Sequence, residues 1–365
     1  MSAGARLLLA VLLAVLACGP GAGPPAAAPA ARPAPAGAAS PAPNSTLAGA
    51  SAALPAATSS APWLTAPPSP EHVRIAYPAT ATSFLTLYVA QDQGYYARYG
   101  IDAEVMMTAA AVAITGMTTG DMDFTMSLGS AARAAAQGLP VRVVEQSGTA
   151  PQLYVVGQPE LRSLADLRGK VLSSNSISGT TGQTAIMLMR KAGVGRAEFE
   201  LVPGGDAPRQ MEMLRQRQID AALFGPPFPL LAGREGYPLL ASAPDEIQLA
   251  FAGLATSQDA LARRGDMVRR VIAAEVEALR YVYADRAGAI RAIVDHYDAE
   301  PDVAAQTYDL IIGSFSRDGS LPRDGVEAVL ALDKEDGAIP ESVRYEDVVD
   351  PRPVQDVQRA LGIAP

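Results

Sequence analysis

From residue 71 onward, short runs of alternating apolar and polar residues give way to longer runs of helical period, and the rhythm repeats along the chain. Residues 73–77 (Val-Arg-Ile-Ala-Tyr) have the two-residue period of a half-buried strand. A Pro/Thr/Ser loop follows, then an apolar helix over 83–96, a strand over 103–107 and an alanine-rich helix to Thr119. A strand at 122–128, a helix at 130–137 and a strand at 141–146 complete the first unit. The rhythm then restarts with strands at 153–157, 170–173, 199–202, 219–224, 239–243 and 249–256. Between them lie a helical turn at 163–167 and helices at 180–192, 207–216 and 228–235. Everything after Gln258 has helical period, most clearly 266–284. Strands alternating with helices predict βαβ crossovers and largely parallel sheets.

This pattern predicts an α/β protein of two similar units with a helical segment behind them. The simplest assembly takes residues 71–150 and 251–365 as one lobe and 151–250 as the other, joined by extended segments near 146–153 and 243–251. Ligands of open α/β sheets sit off the carboxyl ends of the strands. Two facing lobes would bring those ends to opposite sides of one cleft. The alternative is two independent α/β domains without a shared site.

The N-terminal pattern is different. Arg6 is followed by an unbroken apolar run over 7–17, the layout of a secretory signal. That run is too short to span a bilayer core, which takes roughly 20 residues as a helix. It ends Val15-Leu16-Ala17-Cys18, which resembles the lipobox of bacterial lipoproteins. The resemblance implies a signal peptide over 1–18, with Cys18 lipidated and anchored in a membrane; an ordinary cleaved signal containing a cysteine is the alternative. Residues 19–70 are almost entirely Ala, Pro, Gly, Ser and Thr, and Arg32 is their only charge. Such a segment has too few large apolar groups to offset its chain entropy, so it is expected as a disordered tether. Trp63, inside it, is expected to be incidental.

Charge and cysteine content narrow the function. The net charge of −9 becomes −11 once Arg6 and Arg32 are set aside, and without basic clusters this argues against nucleic acid as a partner. Cys18 is the only cysteine, so residues 71–365 contain neither a disulfide nor a thiolate metal site. No metal set and no phosphate loop of Walker type emerges, and no cofactor is expected.

Four loops at predicted strand ends, 78–84, 127–130, 175–181 and 225–228, are expected to line the cleft. Their polar residues are mostly hydroxyls and glycines, and three of them lead into helices. Glycine admits a ligand to the backbone, hydroxyls cap exposed amides, and a helix N-terminus attracts negative charge. The candidate ligand contacts are Thr82, Ser83, Phe84, Gly129, Ser130, Ser178, Gly179, Thr180, Thr181, Gly225 and Pro226. Simple capping is the competing role for the hydroxyls, and for Ser163 it is the preferred one. No loop in this set carries Arg, Lys, Asp or Glu, whereas a strongly anionic ligand ordinarily invites an arginine fork. Tyr77, Phe84, Tyr88 and Phe228 are candidates for an aromatic wall or for core. Gln146 and Gln152 flank the first crossover, where a side amide is expected to reach the cleft; a solvated strand end is the alternative for Gln146.

Several stretches resemble the substrate-binding proteins of ABC importers for nitrate, sulfonates, taurine and thiamine pyrimidine precursors. They are Leu85-Thr86-Leu87-Tyr88-Val89-Ala90-Gln91-Asp92-Gln93-Gly94-Tyr95-Tyr96 with Tyr99-Gly100-Ile101-Asp102-Ala103-Glu104-Val105, and Gly120-Asp121-Met122-Asp123-Phe124 leading to Gly129-Ser130. Further along come Ser163-Leu164-Ala165-Asp166-Leu167-Arg168-Gly169-Lys170-Val171 with Gly179-Thr180-Thr181, and Gln218-Ile219-Asp220-Ala221-Ala222-Leu223-Phe224-Gly225-Pro226-Pro227-Phe228 with Glu235-Gly236-Tyr237. Each stretch alone is weak; their order and spacing across 73–256 are specific. The resemblance implies a type II periplasmic-binding-protein-like clamp in which each lobe is a mixed sheet flanked by helices. It also implies one captured small molecule and, as partners, an ABC permease and ATPase. Sulfonate or nitrate specificity is not carried over.

An enzyme lacks its parts. His72 and His296 are the only histidines, and neither has a nucleophilic serine at a recognisable elbow. The eukaryotic pyrimidine-synthase relatives of this fold use a pyridoxal-bearing lysine, a histidine and a cysteine cluster. Here Lys170, Lys191 and Lys334 lie outside the cleft loops, and the cysteine cluster is missing. The reading is therefore a protein outside the cytoplasm that binds a small organic or oxyanionic solute, with a ligand-sensing protein built on the same clamp as the alternative and a relative of the pyrimidine-biosynthesis enzymes as the further one.

Overall fold

The computed structural model of the protein describes residues 61–177, 180–247, 249–335 and 337–363. Among these residues, ten strands form two five-stranded mixed sheets. In the first, β1 (Glu71–Tyr77), β2 (Ile101–Met107), β3 (Phe124–Thr125), β4 (Val141–Val143) and β10 (Ala255–Ser257) lie in the order β2-β1-β3-β10-β4. In the second, β5 (Tyr154–Gly157), β6 (Val171–Ser174), β7 (Glu200–Pro203), β8 (Ala221–Phe224) and β9 (Leu239–Ser242) lie in the order β7-β6-β8-β5-β9. The two orders are topologically equivalent. In each sheet the first three strands pair in parallel, and a strand arriving from the other half of the chain inserts antiparallel beside the third. That insertion is why the sheets are mixed, where local alternation alone predicts them largely parallel.

Local chemistry explains where the elements begin and end. On β1, Val73 and Ile75 face the core while Arg74 lies between them, pairing with Glu104 of edge strand β2 at 3.4 Å. The helix expected over 83–96 is interrupted. A 3-10 turn at Thr82–Phe84 leads into the helix Leu85–Asp92, and Gly94, at φ +67°, turns the chain before a last helical turn, Tyr95–Arg98. The strand expected over 122–128 is reduced to Phe124–Thr125, because the helix Leu128–Ala136 begins directly after Ser127. Ser163 stands at the N-cap of the turn Leu164–Leu167, where its N–H donates to Asp166 Oδ2 at 2.9 Å. The segment Pro62–Leu64 is a 3-10 turn, and Trp63 and Leu64 pack against the core beneath the first sheet. Trp63 is therefore part of the fold and not incidental, since an indole set against apolar side chains gains burial.

Two segments carry the chain between the sheets, and they pair with each other. Gly148 forms an antiparallel bridge with Ala252; the amides of Ser147 and Gly148 both donate to the Ala252 carbonyl, at 3.0 and 2.9 Å. A third segment braces them, with Ser316 N donating to the Ser147 carbonyl at 2.7 Å and Thr149 N to the Ser314 carbonyl at 2.8 Å. Close approach here demands glycine. A β-carbon built on Gly253 would stand 2.2 Å from the Glu145 carbonyl oxygen.

The helices behind the first sheet carry much of its core. The helix Gly265–Ala284 is buried along most of its length, with Met267, Val271, Ile272, Val276 and Leu279 all inside. Complete burial of such side chains contributes about 1.5–3 kcal/mol each. The helix Arg323–Glu335 sits apart from this cluster: its Val326, Val329 and Leu330 belong to the core shared with the helix Leu128–Ala136.

Candidate ligand cleft between the two sheets

A cavity of about 550 Å³ opens between the sheets, off the carboxyl ends of their strands. From the first sheet come Pro78, Phe84, Met126, Ser127 and Ser130; from the second come Asn175, Ser176, Thr180 and Thr181. Phe251, on the second connecting segment, also lines the cavity. The volume suits a small organic molecule.

Two helices of opposite halves, Leu128–Ala136 and Thr180–Lys191, begin at this cavity. Their free amide ends aim partial positive charge at the same space. They also touch: a β-carbon at Gly129 would stand 2.5 Å from Thr180 Oγ1. Glycine is what allows this approach.

The sequence-predicted residues are placed as follows. Phe84, Ser130, Thr180 and Thr181 line the cavity, and Gly129 sits at the helix–helix contact. Thr82 and Ser83 are fully buried beneath the rim, and their hydroxyls donate to Gln152 Oε1 at 3.1 and 3.4 Å. They thus fasten the first sheet's loop to the first connecting segment. Thr181 folds its own loop, its hydroxyl donating to the Ser176 carbonyl at 3.2 Å. Gly225 rests against the Gln152 carbonyl, where a β-carbon would stand at 3.1 Å. It and Pro226 do not line this cavity. Ser178, Gly179 and Cys18 lie outside the described residues.

The aromatic candidates divide. Phe84 faces the cavity, while Tyr88 donates to Tyr77 Oη at 2.9 Å and stacks on His296 with centroids 4.2 Å apart. Burial raises the Tyr88 phenol above its ordinary value. Phe228 sets its ring edge-on to Phe224, inside the second half. Gln152 has a buried Nε2 with no partner among the described residues, and Gln146 turns its amide to the Gly148 carbonyl at 3.0 Å.

Sequence reasoning missed the one charged residue in the wall among the described residues. Arg133 lines the cavity from the second turn of the helix Leu128–Ala136. Its spacing of three from Ser130 puts both on one helical face, the signal that would have found it. Arg133 Nε donates to Asp333 Oδ1 at 2.9 Å, and Gln183 Nε2 reaches the same oxygen at 2.5 Å. Ser127 was legible only as part of a loop; its hydroxyl is buried at the cavity with no partner among the described residues.

Two buried acids stand near the root of the connecting segments. Burial pushes Glu275 up to about 7, opposed by the hydrogen bond from Tyr96 Oη. Burial and the neighbouring Glu275 charge raise Glu145 well above the usual carboxylate range, although Leu254 N donates to it at 3.1 Å.

Comparison with known proteins is consistent with this geometry. The family described as NMT1/THI5 like matches residues 81–289. No curated protein sequence matches the chain. Among solved structures, the alkanesulfonate-binding protein SsuA from Xanthomonas axonopodis pv. citri, bound to MOPS, is similar with a TM-score of 0.65. The identity is 18%, over 78% of this chain and 99% of that one. The periplasmic nitrate-binding protein NrtA from Synechocystis PCC 6803 is similar with a TM-score of 0.68, at 13% identity over 82% and 91%. The desulfurization enzyme DszB shares the fold at a TM-score of 0.58, with 13% identity over 79% and 99%. The fold is thus that of the periplasmic binding proteins.

Proposed function

The chain belongs to the NMT1/THI5-like family, and we propose that within it this protein is the extracytoplasmic solute-binding component of an ABC importer. The observation that carries this reading is the cavity itself: two helix N-termini from opposite sheets meet over paired connecting segments. On this reading residues 71–150 with 251–365 form one lobe and 151–250 the other. Paired extended strands bend with little loss of packing, so the lobes open and close about them. A solute shifts that equilibrium through contacts it makes with both lobes at once. The closed form then docks on a permease driven by an ATPase.

The same cavity supports binding over catalysis. Neither histidine lines it: His72 contacts Asp102 and Glu104 on the outer edge of the first sheet, and His296 contacts Asp92. What lines it is apolar surface with hydroxyls, amides and the Arg133 guanidinium, the makeup of a recognition site. Cys18 is the proposed lipid attachment point, with the Ala/Pro-rich stretch after it as tether.

The test is a thermal-shift screen of the full-length chain against small anions, sulfonates, pyrimidines and aromatic acids, with each hit monitored for turnover. A solute at a hundredfold excess over its Kd should stabilise the protein by about 2.7 kcal/mol. Ser130→Phe, which fills the cavity, should abolish the shift. Conversion of the hit to product, or a shift unaffected by Ser130→Phe, would overturn the proposal.

A further inference from the structure

The cleft has one charged side chain in its wall among the described residues, and that charge is already neutralised. Arg133 Nε and Nη2 both donate to Asp333 Oδ1. Asp333 is fully buried, and its other oxygen, Oδ2, is buried with no partner among the described residues. Gln183, from the helix that opens the other side of the cleft, donates to the same Oδ1 at 2.5 Å. Asp333 therefore holds the cavity's cation from behind and is itself held from the opposite half.

This arrangement has an electrostatic consequence. A solute anion in the cavity meets a guanidinium with a carboxylate directly behind it, so it feels a dipole and not a net charge. Drawing Arg133 toward the solute would leave Asp333 a buried carboxylate with Gln183 as its side-chain partner among the described residues, which is strongly unfavourable. The rest of the wall adds no charged side chain among the described residues, and the two helix ends contribute only partial positive charge. Phe84, Met126 and Phe251 give apolar surface, while Ser127, whose buried hydroxyl has no partner among the described residues, offers hydrogen bonds to a neutral polar group.

We propose that Asp333 sets the charge selectivity of the cleft: by neutralising Arg133 it makes the cavity a site for an organic solute without net charge and excludes bare anions. The assignment rests on the cavity being the solute site. The sequence separates the two residues by 200 positions, which is why the loops, read alone, look merely uncharged.

The test uses full-length protein titrated with methanesulfonate and with nitrate by calorimetry. The wild type should show no saturable binding of either at submillimolar concentration. Asp333→Asn keeps the shape and an acceptor but removes the charge, and should bind methanesulfonate roughly ten- to a hundredfold more tightly than the wild type, the worth of one released charge-assisted hydrogen bond. Adding Arg133→Gln to that variant should remove the gain. Submillimolar binding of either anion by the wild type, lost in Arg133→Gln, would overturn the proposal, and this arm stands even where Asp333→Asn fails to fold. A folded Asp333→Asn that gains nothing would overturn it as well. If the wild type takes no solute of any kind while Asp333→Asn still gains methanesulfonate, the importer reading fails and the charge assignment stands.

Discussion

Gly129 and Thr180 come from opposite sheets and meet with no room for a side chain between them, since a β-carbon at 129 would lie 2.5 Å from Thr180 Oγ1. The next nearest atoms, Thr180 Cγ2 and Cβ, lie at 3.5 and 3.6 Å, which is ordinary contact. The clash is thus with one hydroxyl. Gly129→Ala should destabilise the folded protein by roughly 1–3 kcal/mol, the usual cost of overpacking. In a Thr180→Ala background the same change should cost less than about 0.5 kcal/mol, because the obstructing atom is gone. Urea unfolding of the four proteins measures the coupling; equal costs in both backgrounds would show that the two helices do not touch.

Gln152 is the tie between the first sheet's rim loop and the first connecting segment. Gln152→Ala leaves the buried hydroxyls of Thr82 and Ser83 without their shared acceptor. Stranding buried polar groups in this way costs about 1–3 kcal/mol. The unfolding midpoint should fall accordingly, and an unchanged midpoint would mean that water or another acceptor replaces the amide.

Glu275 makes stability depend on pH in a definite direction. Its pKa rises from 4.5 to about 7 in the folded protein because burial penalises the charged form. The folded state then binds the proton more tightly than the unfolded state. This contribution is fully present below about pH 4.5 and is lost as pH climbs through about 7, to a total of roughly 3 kcal/mol. Glu275→Gln removes the titration while keeping an acceptor for Tyr96. Measured by denaturant unfolding at pH 5, 6, 7 and 8, the variant should gain on the wild type as pH rises. A constant difference across that range would count against the assignment.

Cys18 carries the anchor proposal. Cys18→Ser should release the protein from the membrane fraction and remove any acyl chain detected by mass spectrometry. A variant that stays with the membranes, alongside a wild type that carries no acyl chain, would end the lipoprotein reading.

Much of this was written locally in the chain. Two-residue alternation at 73–77 and helical period at 180–191 are short-range properties, and they fix element type because each element must bury its own apolar face. The loops at strand ends were legible for the same reason, and with them Phe84, Ser130, Thr180 and Thr181. What local pattern does not encode is which distant segment fills the space beside an element. The antiparallel insertion of β10 beside β3 and of β5 beside β8 depends on where the chain crosses between sheets. The shortening of the strand near 124 and the seating of Trp63 on the core were likewise decided by neighbours. The cavity's electrostatics were decided the same way. Arg133 and Asp333 are brought together because the helix Arg323–Glu335 shares a core with Leu128–Ala136, and that contact is made by apolar side chains whose partners no local period can name. Sequence by itself determined the elements and the loops; the tertiary structure determined which charges meet, because burial and pairing are properties of the assembled surface.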